Sequence, residues 1–234
     1  MNRMDKKYWF KQNHLQTLLD SISSEYYMLQ IEGENRMSYL TTYFDTADNV
    51  LYGEHHNGKL NRYKIRKREY LNCGIGFLEI KFKNNKGKTN KMRIPTDVKE
   101  LGFSNEEINF IESFTPYVGS KLKTALINEF TRITLVNKNF KERCTIDLDL
   151  IYRFNNKNIE LKNLVIVEIK SDGKPDFSPL VLALRDSRIK ASGFSKYCVG
   201  RTITDPGLKR NSFKQKIREI KKVTHIEKDP YLIN

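Results

Sequence analysis

Leu60-Asn61-Arg62-Tyr63-Lys64-Ile65-Arg66-Lys67-Arg68-Glu69-Tyr70 decides the fold by its alternation. A β-strand sends successive side chains to opposite faces. Arg62, Lys64, Arg66, Arg68 and Tyr70 therefore share one face, and Tyr63, Ile65, Lys67 and Glu69 the other. The same period recurs on either side. Glu79, Lys81 and Lys83 oppose Leu78, Ile80 and Phe82, and Lys91 and Arg93 oppose Met92 and Ile94. Further on, Phe130, Arg132 and Thr134 fall together. Arg143, Thr145, Asp147 and Asp149 oppose Cys144, Ile146, Leu148 and Leu150, and Glu168 and Lys170 oppose Val167 and Ile169.

The pattern predicts strands over 3–10, 26–31, 36–46, 60–71, 76–84, 88–95, 122–137, 140–151 and 163–171, with tight turns at Asn57-Gly58 and at Asn84-Asn85-Lys86-Gly87. Helical spacing replaces it over 14–24, over 96–115 (Ser104 as N-cap, with Leu101, Ile108, Phe110 and Ile111 inward), over 178–188 and near Lys196. No Pro-, Gly- or Ser-rich linker divides the chain, so 1–205 reads as one domain and 206–234 as a basic tail. Its helix over 212–223 would pack Phe213, Ile217 and Ile220 on or over the sheet, a reading favoured over a membrane anchor.

Composition narrows the partners. The 234 residues are 38% hydrophobic, enough for a core that removes roughly 70% of the unfolded surface from water. With 42 Lys+Arg against 28 Asp+Glu, the net charge of +14 calls for an anionic partner. The longest apolar run, 179–184, is far short of the about 20 residues of a membrane helix, and the start has no signal-peptide core. These features and three widely spaced cysteines, read as buried thiols, point to the cytoplasm. The four histidines have no ligand spacing.

An ordinary wet sheet face mixes Thr, Ser, Gln, Glu and Lys, whereas these faces are crowded with Arg and Lys around isolated carboxylates. Like charges opposite one another on neighbouring strands are destabilising. A closed or nearly closed antiparallel sheet, its charged face turned inward onto a polyanion and its apolar face covered by helices, is the simplest α+β arrangement. Glu79 and Glu168 are either charge-balancing partners of these cations or ligands of a hard divalent ion bridging phosphate oxygens; for Glu79 both remain open.

Lys7-Tyr8, Tyr43-Phe44-Asp45-Thr46, Lys64-x-Arg66-x-Arg68-x-Tyr70, Phe77-Leu78-Glu79-Ile80-Lys81, Arg143-x-Thr145-Ile146-Asp147, Val167-Glu168-Ile169-Lys170 and Ser192-Gly193-Phe194-Ser195-Lys196-Tyr197 occur in the order seen in the VTC domain. This is the polyphosphate polymerase branch of the triphosphate tunnel metalloenzymes, or CYTH superfamily, and the resemblance runs from Arg3 to Tyr197. It implies an antiparallel eight-stranded tunnel with helices outside. It also implies ATP as substrate, Mn²⁺ or Mg²⁺ as cofactor, and growth of an inorganic polyphosphate chain with release of ADP. By the same resemblance Lys7, Arg66, Arg68, Lys81, Arg132 and Lys196 would serve catalysis. Lys64, Lys91, Arg93, Arg143, Lys170 and Ser195 would hold phosphate, Phe130 would stack on the nucleobase, and Glu168, with Glu79, would bind the metal.

The first strand offers only Asp5 beside Lys7, where hydrolytic members of the superfamily carry alternating glutamates. Neither the inositol-phosphate-sensing domain nor the membrane segment that accompanies the eukaryotic versions is expected within these residues, and a free-standing enzyme would release its product or pass it to a separate membrane protein. The alternatives are a triphosphatase on the same tunnel and a non-catalytic polyphosphate-binding module. A specific nucleic-acid binder would display its cations on an outer face instead.

Overall fold

The computed structural model describes residues 3–98, 100, 102–173 and 175–224; Leu101, expected to point inward, lies outside them. In chain order the elements are β1 (Arg3–Lys11), α1 (Leu15–Ile22), β2 (Tyr26–Met28), β3 (Met37–Asp45), α2 (Val50–His56), β4 (Arg62–Tyr70), β5 (Ile75–Lys83), β6 (Thr89–Pro95), α3 (Asn105–Phe114), β7 (Lys123–Asn137), β8 (Glu142–Phe154), β9 (Lys157–Leu161), β10 (Leu164–Asp172), α4 (Pro179–Asp186), α5 (Lys196–Thr204) and α6 (Lys214–Thr224). All the strands join one antiparallel sheet in the order β1-β10-β8-β7-β3-β4-β5-β6, with β2 added to β7 and β9 to β8. The terminal strands β1 and β6 do not pair, so the expected α+β tunnel has an open seam.

The alternation places the cores. On the outer side, Ile65, Leu78 and Ile80 pack with Ile111 of α3, while Val167, Ile169, Cys144 and Ile146 pack beneath α1 and α4. Ser104 and Glu107 close the start of α3 with a full capping box, as the Ser104 N-cap reading required. The third cluster lies on the opposite, concave side, where α5 and α6 press Phe194, Tyr197, Cys198, Ile203, Ile217 and Ile220 against Tyr43, Leu126, Leu150, Tyr152 and Ile166. Helices thus cover one end of the concave face as well as the outside.

α5 seats close because of Gly200. A Cβ there would come within 2.4 Å of Leu126 Cδ2 and 2.6 Å of Tyr152 Cδ1. Arg201, 1% exposed, donates to the Ala125 carbonyl at 2.6 Å, to Asn49 Oδ1 at 2.6 Å and to Asp205 at 2.9 Å, fastening the helix to β7 and to the start of α2. The α6 helix packs through Phe213, Ile217 and Ile220, the positions read from its periodicity.

Three readings are corrected. Asn57-Gly58 does not turn one strand into the next. It ends α2, a helix the alternation did not reveal, with Gly58 at φ +68°. Alternation also breaks in β8. Between the pairs Thr131–Leu148 and Glu129–Ile151 this strand has an extra residue, and Asp149 takes φ +53°. That bulge turns Leu150 and Tyr152 to the concave side and leaves Asp149 exposed. Of the three cysteines, Cys144 and Cys198 are buried, but Cys73 is exposed in the β4–β5 turn.

Candidate functional site

Strand register assembles the cationic face. Arg66 lies opposite Glu79, Lys64 opposite Lys81, Lys81 opposite Lys91, and Arg68 beside Thr41. On the other wall Lys7 pairs with Glu168, Glu168 with Thr145, and Arg132 with Asp147. Ser195 and Lys196 enter from the start of α5, where Ser195 Oγ accepts from the Cys198 amide as N-cap and from Lys64 Nζ at 3.2 Å. Lys7 Nζ reaches the Phe194 carbonyl at 3.3 Å, so the first strand also touches this segment.

The three carboxylates set among these cations, Glu79, Asp147 and Glu168, each have basic partners. Glu79, 0% exposed, accepts from Arg66 Nε at 2.8 Å and is ion-paired with Arg66 Nη2 at 2.6 Å and with Lys91. Burial alone would raise its pKa, but Arg66, Arg68 and Lys91 hold it well below the usual carboxylate range. Asp147 takes a two-point contact from Arg132, Nε at 2.5 Å and Nη2 at 2.8 Å, and a further bond from Lys196. It too is held low, against its burial, by Arg132 and Lys196. Glu168 differs in being looser, with Lys170 at 3.0 Å and Lys7 at 3.6 Å. Burial opposes ionisation there, yet Lys7 and Lys170 bring its pKa down to about 2.

The cations outnumber these acids, and their titration records the excess. Lys64 is pushed down to about 8 by burial, with Lys7, Arg66 and Arg62 adding repulsion. The Arg66 charge, then burial, drive Lys81 well below its ordinary value, and Arg68 falls to about 10 through burial and the neighbouring Arg66 and Arg132. Lys81 has no hydrogen bond or ion pair among the described residues, and Arg68 only the Thr41 hydroxyl at 3.2 Å. A polyanion would raise these pKa values and supply the missing partners.

The remaining expected residues divide. Lys170 borders the inner wall, whereas Arg143 and Arg93 are exposed at its rim, the latter 4.3 Å above the Phe77 ring. The nucleobase expectation for Phe130 meets a packed ring. Phe130 is 1% exposed, stacked on Tyr39 at 5.1 Å, with Arg68, Arg132 and Lys196 within 5.6 Å. It buttresses three cations. Asp147 ties β7, β8 and α5 together; parity places it on the polar face, but its pairing with Arg132 follows only from the register of β7 on β8.

The acidic side chains bear on a metal. No three His, Cys, Asp or Glu side chains converge among the described residues. Both oxygens of Glu79 are ion-paired, Oε2 with Arg66 and Oε1 with Lys91, so it fits charge balance. Glu168 fits a hard cation as one carboxylate among phosphate and water oxygens, a common donor set for Mg²⁺ on a nucleotide.

The curved antiparallel sheet, with an inward field of Arg and Lys and a few tethered carboxylates, has the architecture of a triphosphate-tunnel fold. Residues 2–204 match the VTC domain family, and the chain belongs to it. Its fold resembles a candidate adenylate cyclase from Bacillus halodurans, with TM-score 0.56 and 13% identity over 84% of this chain and 96% of that one. It also resembles an adenylyl cyclase candidate from Hippeastrum with a dominant triphosphatase activity, at 0.54 and 16% over 86% and 97%. A candidate adenylate cyclase from Vibrio parahaemolyticus gives 0.50 and 12% over 83% and 94%. Comparison with curated proteins finds no match. Among the described residues no helix is long and apolar enough to cross a membrane.

Proposed function

We propose that the chain is an ATP-dependent polyphosphate polymerase, residues 1–205 forming the catalytic domain. The observation that carries this reading is the surplus of cations along the concave face without carboxylate partners, Arg68 buried and Lys64 and Lys81 half-buried, on a chain of the VTC family. Arg66, Arg68, Lys81 and Arg132 hold the triphosphate, with the guanidinium groups offering paired donors and the lysines mobile point charges. Lys7, Lys64, Lys196 and Ser195 hold the terminal phosphate of the growing chain, and Lys91, Arg93, Arg143 and Lys170 draw anions toward the site from its rim.

A terminal oxygen of the chain attacks the γ-phosphorus of ATP, the bond to the β–γ bridging oxygen breaks, and ADP leaves with that oxygen. The chain gains one phosphate. Such a transfer asks the protein mainly for alignment and for neutralisation of charge on the equatorial oxygens. Glu168 would hold a Mn²⁺ or Mg²⁺ that, when bound, supplies further positive charge to the phosphate oxygens. Asp147 keeps Arg132 and Lys196 at a fixed separation while both face phosphate. A cytoplasmic setting, with the product released or passed to a membrane protein, completes the proposal.

Incubation with ATP and Mn²⁺, followed by a polyphosphate-stained gel and an ADP assay, tests it. Long polymer with ADP is the expected result. ADP with free phosphate alone would favour the triphosphatase reading, to which the Hippeastrum protein's activity lends support. Binding without turnover would leave the non-catalytic module.

A further inference from the structure

We propose that the end of the sheet formed by the β7–β8 turn, β2 and the segment before α4 is a docking tip for an anionic phospholipid bilayer. This docking is independent of which reaction the concave face performs.

Single exposed apolar side chains are ordinary, whereas a cluster of them marks a contact surface. The two most exposed large apolar side chains among the described residues are Phe177, at 81%, and Phe140, at 74%. They lie on neighbouring turns. The Asp172 amide donates to the Lys141 carbonyl at 3.0 Å and Ser178 Oγ donates to Glu142 at 2.9 Å, which fastens the turn carrying Phe140 to the segment carrying Phe177. Tyr27, half exposed on β2, stacks on Phe140 with ring centres 6.1 Å apart. Its neighbour Tyr26 is buried and donates its hydroxyl to Glu142, so β2 is anchored there while Tyr27 stays at the surface.

Phe140 also keeps an unfavourable backbone. Its φ is +59°, a left-handed conformation that Gly or Asn adopts readily and a bulky side chain does not. The exposed ring gains little packing in return, and entry into an apolar medium would supply it.

Cations flank the rings. Lys138 Nζ lies 5.8 Å above the Tyr27 ring, Lys141 follows Phe140, and Arg143 pairs in register with Val136, which is itself opposite Tyr27. None of these three has a carboxylate within ion-pair distance among the described residues. Of the acids at this end, Glu142 is buried and Asp176 is paired with Lys6, while Glu25 and Asp172 are exposed. The tip therefore stays cationic, on a chain of net charge +14. Rings beside lysines suit a headgroup layer, where the rings enter the acyl boundary and the ammonium groups reach phosphates. A protein partner suits the tip less well, because its three rings expose only about 400 Å², roughly half of what one side of a standard interface buries.

Co-sedimentation of the full chain with vesicles of phosphatidylcholine, and of phosphatidylcholine and phosphatidylserine in equal parts, tests the tip. Tripolyphosphate is present at a concentration that saturates the concave face, so that vesicles are not drawn to its cations. Wild type should bind the anionic vesicles about 10-fold more tightly than the neutral ones, and Phe140→Asn/Phe177→Ser should lose about 10-fold on the anionic ones. Lys138→Gln/Lys141→Gln should weaken binding to the anionic vesicles alone. Phe140→Asn by itself should weaken vesicle binding with its Tm unchanged or higher, because Asn accepts the left-handed backbone; it carries the test should the double variant fail to fold. No binding by wild type, binding that tripolyphosphate abolishes, or equal binding by wild type and the phenylalanine variants would overturn the docking tip. Self-association of wild type that is lost in Phe140→Asn, without vesicle binding, would overturn it too and assign the rings to a second copy of the chain.

Discussion

Glu168 and Lys64 differ from their neighbours in how loosely they are held. Glu79 and Asp147 are locked between strong donors, whereas Glu168 has only two lysines at 3.0 and 3.6 Å. Glu168→Gln should therefore abolish polymer formation while lowering stability by no more than about 1 kcal/mol, as for a partly exposed ion pair; a gel assay beside a thermal melt checks both. Lys64 gives a pH signature. With its pKa lowered to about 8 against an ordinary 10.5, it is losing its charge near pH 8, while unfolded chains keep theirs to 10.5. Its protonation thus disfavours folding below pH 8, and that penalty is relieved as pH rises from 8 to 10.5. Phosphate binding goes the other way. Apparent tripolyphosphate affinity should fall as pH rises through 8, and this step should vanish in Lys64→Met, both measured by titration calorimetry. Parity placed Lys64 and Glu168 on the polar faces, and the family resemblance supplied the metal role expected of Glu168. What was not legible was their pairing, since Arg132 with Asp147 and Lys7 with Glu168 depend on register between strands distant in sequence.

At the scale of elements, α5 decides how much of the concave face is left for a ligand. Its helix packs on β7 and β8 through the bare Cα of Gly200, so a larger side chain must displace Leu126 and the buried Tyr152 ring. Gly200→Val gains a few tenths of a kcal/mol in helix propensity and loses more to overpacking. A net fall of about 1–3 kcal/mol is expected, or roughly 2–10 °C in Tm, with polymer synthesis falling more steeply because Ser195 and Lys196 move with the helix. Differential scanning calorimetry and the gel assay read the two effects. Most strands were legible because each has one wet and one dry face. α2 was hidden behind an Asn-Gly pair that ends helices as readily as it turns hairpins, and β9 is only a five-residue extension of the sheet's edge at β8. The bulge at Asp149 was invisible because a single residue at positive φ leaves the sequence alternation intact while reversing the faces beyond it.

For the whole molecule, the meaning of the +14 charge lies in its direction. The α+β tunnel class was legible because a sheet with this much like charge on one face needs an anion to cover it, and the seven ordered motifs pointed to the VTC family, which the match over 2–204 shows. The open seam between β1 and β6 was not legible, since edge pairing leaves no mark in alternation. Nor was the filling of one end by α5 and α6, whose apolar stripes fit an inner or an outer face equally well. The most direct test of the polymerase account is the fate of the γ-phosphate. With γ-labelled ATP and Mn²⁺, the account predicts one labelled phosphate in precipitable polymer for each ADP formed. Label recovered as free phosphate, with ADP but no polymer, would contradict it.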